Sequence, residues 1–217
     1  MGVLVYGFAM DNFIATLPKQ AFAKIDTSND DLFYAQPRFV THIDDVALRA
    51  LTSFYAGYLP SGGHILDLMS SWVSHLPDSF TGSAIGHGMN AEELAANPRL
   101  DEYFVQNLNL SPRLRAPDAS FDAALCCAGV QYLAQPDIVF AEIARVLKPG
   151  APFIISFSNR CFPSKAIAVW RALDASGHSK LVKYYLDSAG FASIASHILC
   201  DGSISDPMTA VIGFAPL

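Results

Sequence analysis

Charged side chains are scarce in this sequence. They make up 16% of its 217 residues, against roughly 25% in an ordinary globular chain. Lys and Arg number 14 against 20 Asp and Glu, giving a net charge of −6. A protein that grips nucleic acid regardless of sequence needs surplus cations to neutralise phosphates. No nucleic-acid partner is therefore expected, and only a local basic patch is left open. Cysteine is also sparse. The four cysteines form no CxxC pair and no Cys/His spacing suited to zinc, so no metal site is expected. Cys126 and Cys127 lie in an apolar run and read as small core residues. A reduced, cytoplasmic compartment is expected. No apolar run approaches the ~20 residues of a membrane span. The opening MGVLVYGFAM has no basic region, so no signal peptide is expected. No GxGxxG follows the first strand, which counts against a nucleotide-binding oxidoreductase.

Apolar residues, by contrast, reach 52%. Parallel strands covered on both faces would use them. An apolar substrate pocket or a homodimer face would also do so. The clearest unit is FDAALCCAGVQYLAQPDIVFAEIARVLKPGAPFIISF, Phe121 to Phe157. Ala123 to Ala128 suits a buried strand. Ile138, Phe140, Ile143, Val146 and Leu147 mark a helix face, with Lys148 in the last turn and Pro149-Gly150 as the stop. Phe153 to Phe157 gives a second buried strand. Strand, helix and strand make a right-handed parallel crossover.

The rest is organised around that unit. Asp44 to Tyr58 reads as a helix with an acidic start, ended by Pro60 and Gly62-Gly63. Strands are expected at His64–Met69, Ser83–Met89, Tyr103–Leu108, Ala123–Val130 and Ala151–Ser158. Asn90 caps a short helix, with Glu93 placed for a capping box. Ser70 to Gly82 is short and contains Pro77, so a stub is expected there. Ser164–Ala175 and His178–Ala189 read as helices broken at Ser176-Gly177. Phe191–Leu199 and Met208–Phe214 read as an antiparallel hairpin across DGSISDP. The fold class is α/β: a Rossmann-like, seven-stranded, mostly parallel sheet with an antiparallel C-terminal hairpin. Residues 1–60 form an N-terminal helical cap and 61–217 the main domain.

The phrase FD…EIARVLKPGAPFIIS resembles the join between the fourth and fifth strands of class I S-adenosylmethionine-dependent methyltransferases. WVSHLP, GMNAEEL, FSNRCFPSKAI and SDPM are similar to a methyltransferase type 11-like subgroup of cyanobacteria and plants. The resemblance implies S-adenosylmethionine as cofactor and a small-molecule substrate. Its cofactor motifs are altered. The first strand ends in LDLMSSW where the family has DxGxGxG: Asp67 matches the acid, while Met69 and Ser71 replace glycines. Ser70 and Ser71 offer donors to the cofactor carboxylate. Gly88 stands where the family places an acid for the ribose, with Met89 and then Asn90 following. Asn90 is either a ribose acceptor or a plain helix cap. Asn107, beside Leu108, stands where an acid often meets adenine. Gly129 is expected to pass close to the methionine part. By this resemblance Asp67, Met69, Ser70, Ser71, Met89, Asn90, Asn107, Leu108 and Gly129 surround the cofactor.

Methyl transfer from a sulfonium needs alignment and exclusion of water more than a fixed catalytic motif. The segment FYAQPRFVTHID, Phe33 to Asp44, is the candidate substrate wall. His42 is a candidate base, since an ordinary histidine titrates near neutrality, or else an exposed residue before a helix. Tyr34 and Arg38 are candidates to position substrate, and Arg38 could equally be a surface ion pair. Tyr132 lines the pocket or packs the core. Trp72 stacks on the cofactor or packs the loop. The expected function is methyl transfer to a small, apolar or aromatic molecule. The alternative is a non-catalytic binding or scaffold protein that retains the fold.

Overall fold

The computed structural model describes residues 17–217. Seven strands form one sheet: β1 His64–Asp67, β2 Ser83–Gly88, β3 Glu102–Val105, β4 Ala123–Cys127, β5 Pro152–Phe157, β6 Ala192–Cys200 and β7 Met208–Phe214. Their order is β3-β2-β1-β4-β5-β7-β6. The first five are parallel, and β7 runs antiparallel between β5 and β6. The mostly parallel sheet with a C-terminal antiparallel hairpin is as expected. β3 stops at Val105, short of the expected Leu108, and is a largely exposed edge strand.

Among the described residues six α-helices accompany the sheet: α1 Asp30–Tyr34, α2 Asp45–Tyr58, α3 Ala91–Ala95, α4 Pro136–Val146, α5 Ala168–Ala172 and α6 Ala175–Ser188. The Asp44 carboxylate caps α2 by accepting from the Val46 and Ala47 N–H groups. Ala47, Leu51 and Tyr55 recur at helical spacing, and they pack against Ile65, Leu125, Ile154 and Ile212. This helix is thus a layer of the core on one sheet face. α4 and α6 cover the other face, where Phe140, Ile143, Leu181 and Tyr185 meet Phe153 and Val211. β5 is buried along its whole length between these layers.

Three helix expectations are also corrected. α4 ends at Val146, so Lys148 lies beyond it and pairs instead with Asp122 at 2.6 Å. α6 runs straight through Ser176-Gly177, because Asp174 caps it by accepting from the Gly177 N–H at 2.8 Å. The expected helix Ser164–Ala175 shrinks to Ala168–Ala172. Backbone groups of that stretch bond the N-terminal segment instead: Asp26 N–H donates to Ser164 O, and Ala168 N–H to Ala23 O. No helix forms between Ser70 and Gly82, so the expected stub is replaced by turns and extended chain.

Candidate functional site

The strand order reverses between β1 and β4, whose C-terminal ends open into a crevice. Ligands of open α/β sheets bind at such a switch point. A cavity of about 500 Å³ lies there, within the roughly 300–1,000 Å³ of small-molecule sites. It gathers every candidate residue from the sequence: Asp67, Met69, Ser70 and Ser71 after β1; Met89 and Asn90 after β2; Asn107 and Leu108 after β3; Gly129 after β4; and Tyr34 and His42 from the cap.

The turn after β1 keeps a glycine-like shape without glycine. Met69 has φ 56°, in the left-handed region, a conformation that costs a non-glycine residue roughly 1–2 kcal/mol. His87 holds it there. Its Nδ1 accepts from the Met69 N–H at 3.1 Å, so its Nε2–H donates to Gln106 O at 2.9 Å. Burial pushes the His87 pKa down to about 4 and keeps the ring neutral, as this double role requires. The Ser70 N–H donates to His87 O, closing the loop onto β2.

Asp67 is buried and, among the described residues, meets no cation. Its Oδ2 accepts from Ser70 Oγ at 2.7 Å and from Ser74 Oγ. Burial raises its pKa against those two bonds. A carboxylate served only by neutral hydroxyls has capacity for a further, cationic donor.

The Gly88 position admits no side chain. A Cβ there would lie 2.5 Å from the Ser70 carbonyl and 3.1 Å from Leu94. The nearby carboxylate is Glu93, which sequence reasoning treated only as part of a capping box. It accepts instead from Ser71 Oγ at 2.5 Å and from the Arg38 N–H at 2.7 Å. Its spacing from Asn90 gave the capping signal, and nothing in the sequence linked it to Ser71 or Arg38.

Asn90 and Asn107 line the cavity, yet their amides are engaged within the protein. Asn90 Oδ1 caps α3, and its Nδ2 donates to Tyr34 O and Ala35 O. Asn107 Nδ2 donates to Asp31 and its Oδ1 accepts from the Asn109 N–H. Both tie the cap to the sheet edge. The cap is further fixed by Lys165, which is fully buried. Its Nζ lies 3.1 Å from Asp26 and 3.2 Å from Asp30, and donates to Ser28 O at 2.8 Å.

The cap forms the outer wall. Arg38 stacks over the Phe33 ring at 4.5 Å and the Phe162 ring at 5.5 Å. His42 stands at the rim, edge-on to Phe162 at 5.6 Å. Partial burial, with the Arg160 and Arg38 charges, lowers its pKa from 6.5 against the pull of Glu93. Burial pushes the Tyr34 hydroxyl well above 10, so it stays protonated. Tyr132 is buried and its hydroxyl accepts from the Phe162 N–H. Trp72 Nε1 donates to Val40 O, bracing the rim. The Cys127 thiol, raised to about 12 by burial, is inert.

Residues 63–155 match the family model described as a methyltransferase domain. Among solved structures, a SAM-dependent methyltransferase from Archaeoglobus fulgidus is 12% identical with a TM-score of 0.60, over 77% of this chain and 92% of that one. One from Aquifex aeolicus is 14% identical with a TM-score of 0.56, over 79% and 94%. Phosphoethanolamine N-methyltransferase 2 of Haemonchus contortus, in complex with S-adenosyl-L-methionine, is 15% identical with a TM-score of 0.52, over 79% and 52%. At these identities the likeness gives the fold. No curated protein matches the chain. The matched methyltransferase domain supports S-adenosylmethionine as the cofactor.

Proposed function

We propose that this chain transfers a methyl group from S-adenosylmethionine to a small organic molecule held under the N-terminal cap. The observation that carries the reading is the β1–β4 crevice. There a buried, cation-free Asp67 and a left-handed Met69 turn sit in the region matching the methyltransferase domain. Bound, the cofactor supplies an electrophilic methyl carbon on a sulfonium.

The residues present fit that group. Asp67 has an unused place for an ammonium, which would hold its carboxyl ionised. Ser71 and the backbone around it line the cavity beside Asp67. Leu108, Leu125 and Leu133 give an apolar surface for a flat base. Asn90 and Asn107 act here by holding the cap over the crevice. The aromatic wall of Phe162, Tyr34 and Tyr132 takes the acceptor and excludes water. A protonated nucleophile would need a base. His42, neutral at pH 7, fills that role, and the Tyr34 hydroxyl orients the acceptor.

Gly88 supports a second reading, a binding protein that kept the fold, because the loop has closed on the place where an acid would sit. Calorimetry with S-adenosylmethionine and S-adenosylhomocysteine separates the two. Both are expected to bind, and Asp67→Asn is expected to weaken them about tenfold. No binding at millimolar ligand would sink the methyltransferase reading.

A further inference from the structure

The acids and cations around the cavity are unequally satisfied. Asp30 is paired with Lys24 and Lys165 and accepts from Asn109. Asp67 is served by Ser70 and Ser74, and Glu93 by Ser71 and the Arg38 N–H. Arg160 reaches Asp206 at 3.0 Å. Arg38 differs. Among the described residues no carboxylate lies within 4.0 Å of its guanidinium. Its side-chain donors meet only the backbone carbonyls of Phe33, at 2.7 Å, and Gln36, at 3.4 Å. Its Cζ lies 4.5–5.9 Å from the ring centres of Phe33, Phe162 and Tyr34, and it lines the cavity. His75, also on the cavity wall, has a buried Nδ1 with no partner among the described residues.

A guanidinium fixed in this way is a preorganised receptor for a planar anion. Its fork matches a carboxylate, and stacking removes the freedom that binding would otherwise cost. The flanking rings suit an aromatic or flat apolar body on the same molecule. We infer that the acceptor is a small carboxylic acid with such a body, and that Arg38 binds its carboxylate. The inference rests on the methyl-transfer reading above. It assigns Arg38 as the residue that decides acceptor class. The wall beside it then discriminates by ring shape, and the charge by the presence of the acid. A neutral amide of the same shape forgoes the charge-assisted pair and should bind about tenfold more weakly.

The test uses matched acids and amides: benzoate and benzamide, cinnamate and cinnamamide, indole-3-acetate and indole-3-acetamide. Each is titrated by calorimetry into the full chain with S-adenosylhomocysteine present. At least one acid is expected to bind about tenfold more tightly than its amide. Arg38→Gln is expected to erase that preference, and Arg38→Lys to restore part of it, with circular dichroism reporting that each variant is folded. If every acid and amide pair binds alike, the inference is overturned. It is overturned equally if a folded Arg38→Gln protein keeps the preference. S-adenosylhomocysteine binding is read first, without any acid. Its failure removes the methyl-transfer reading and this inference with it. Normal cofactor binding without acid preference removes only this inference.

Discussion

Met69 and Gly129 share one space at the mouth of the crevice. A Cβ on Gly129 would stand 2.8 Å from Met69 Cβ and 3.0 Å from its Sδ. The Met69 side chain after β1 is accommodated by a glycine after β4. Gly129→Ala should therefore destabilise the protein by about 1–3 kcal/mol through overpacking. Combining it with Met69→Gly should recover at least about 1 kcal/mol, since contacting residues couple by that order. Urea unfolding of the two single variants and the double variant measures the coupling. Strict additivity would show that the two positions do not meet.

An acid at position 88, where the resemblance implies one, looks attractive from sequence. The structure gives the opposite expectation, because a side chain there runs into the Ser70 carbonyl and Leu94. Gly88→Asp should lower stability by about 1–3 kcal/mol and leave S-adenosylhomocysteine binding no tighter. Calorimetry on the folded variant decides. A gain in affinity would mean that the loop yields and an acid can reach the ribose.

Stability should fall on mild acidification. Burial holds His87 down at about 4, so it stays neutral in the folded protein as pH falls from 6.5. The unfolded chain binds the extra proton in this window, and stability is lost as pH drops through it. The span from 6.5 to about 4 corresponds to about 3 kcal/mol for a group this buried. His75, held at about 4 by burial, acts in the same sense. Asp67, raised by burial, opposes both in the lower part of the window. Urea midpoints from pH 7.5 to 4.5 should decline, and less steeply in His87→Gln. Equal slopes would clear His87 as a source.

Lys165 anchors the cap, so its loss should act on the cap first. Lys165→Met keeps the length and apolar stem but leaves Asp26 and Asp30 without their shared cation. Asp30 keeps Lys24 at 2.5 Å, so the loss falls on the contacts of Lys165 with Asp26 and Ser28 and should loosen the cap without unfolding the sheet. Limited proteolysis should cut between Lys24 and His42 sooner in the variant than in the parent. Unchanged cleavage would show that Asn90, Asn107 and Asn109 hold the cap without it.

The sheet was legible where local pattern and tertiary role agree. The run from Phe121 to Phe157 combined a buried strand, a periodic helix face and a Pro-Gly stop, and each part follows from its near neighbours. The C-terminal hairpin was legible for the same reason. The site was legible as a set of positions, since all its candidates lie at strand ends or in the cap. The roles of its side chains depend on distant partners. Asn90 meets Tyr34 and Ala35, Asn107 meets Asp31, and Glu93 meets Arg38. The stretch after β5 departs from its helical pattern because Asp26 and Ala23 claim its backbone. No periodicity in the sequence encodes such pairings.

The cap also bears on the order of folding. Lys165 bonds Asp26 and Ser28 across 139 and 137 residues. Contacts that close so large a loop form late, after local ones have reduced its entropy. During synthesis the cap emerges before the sheet, yet its anchor emerges only after β5. Phe33 and Tyr34 must wait uncovered in the interval, until Phe162 emerges with the anchor. The newborn chain therefore exposes the N-terminal part of its aromatic wall until five of the sheet strands have emerged, and the pocket cannot close before then.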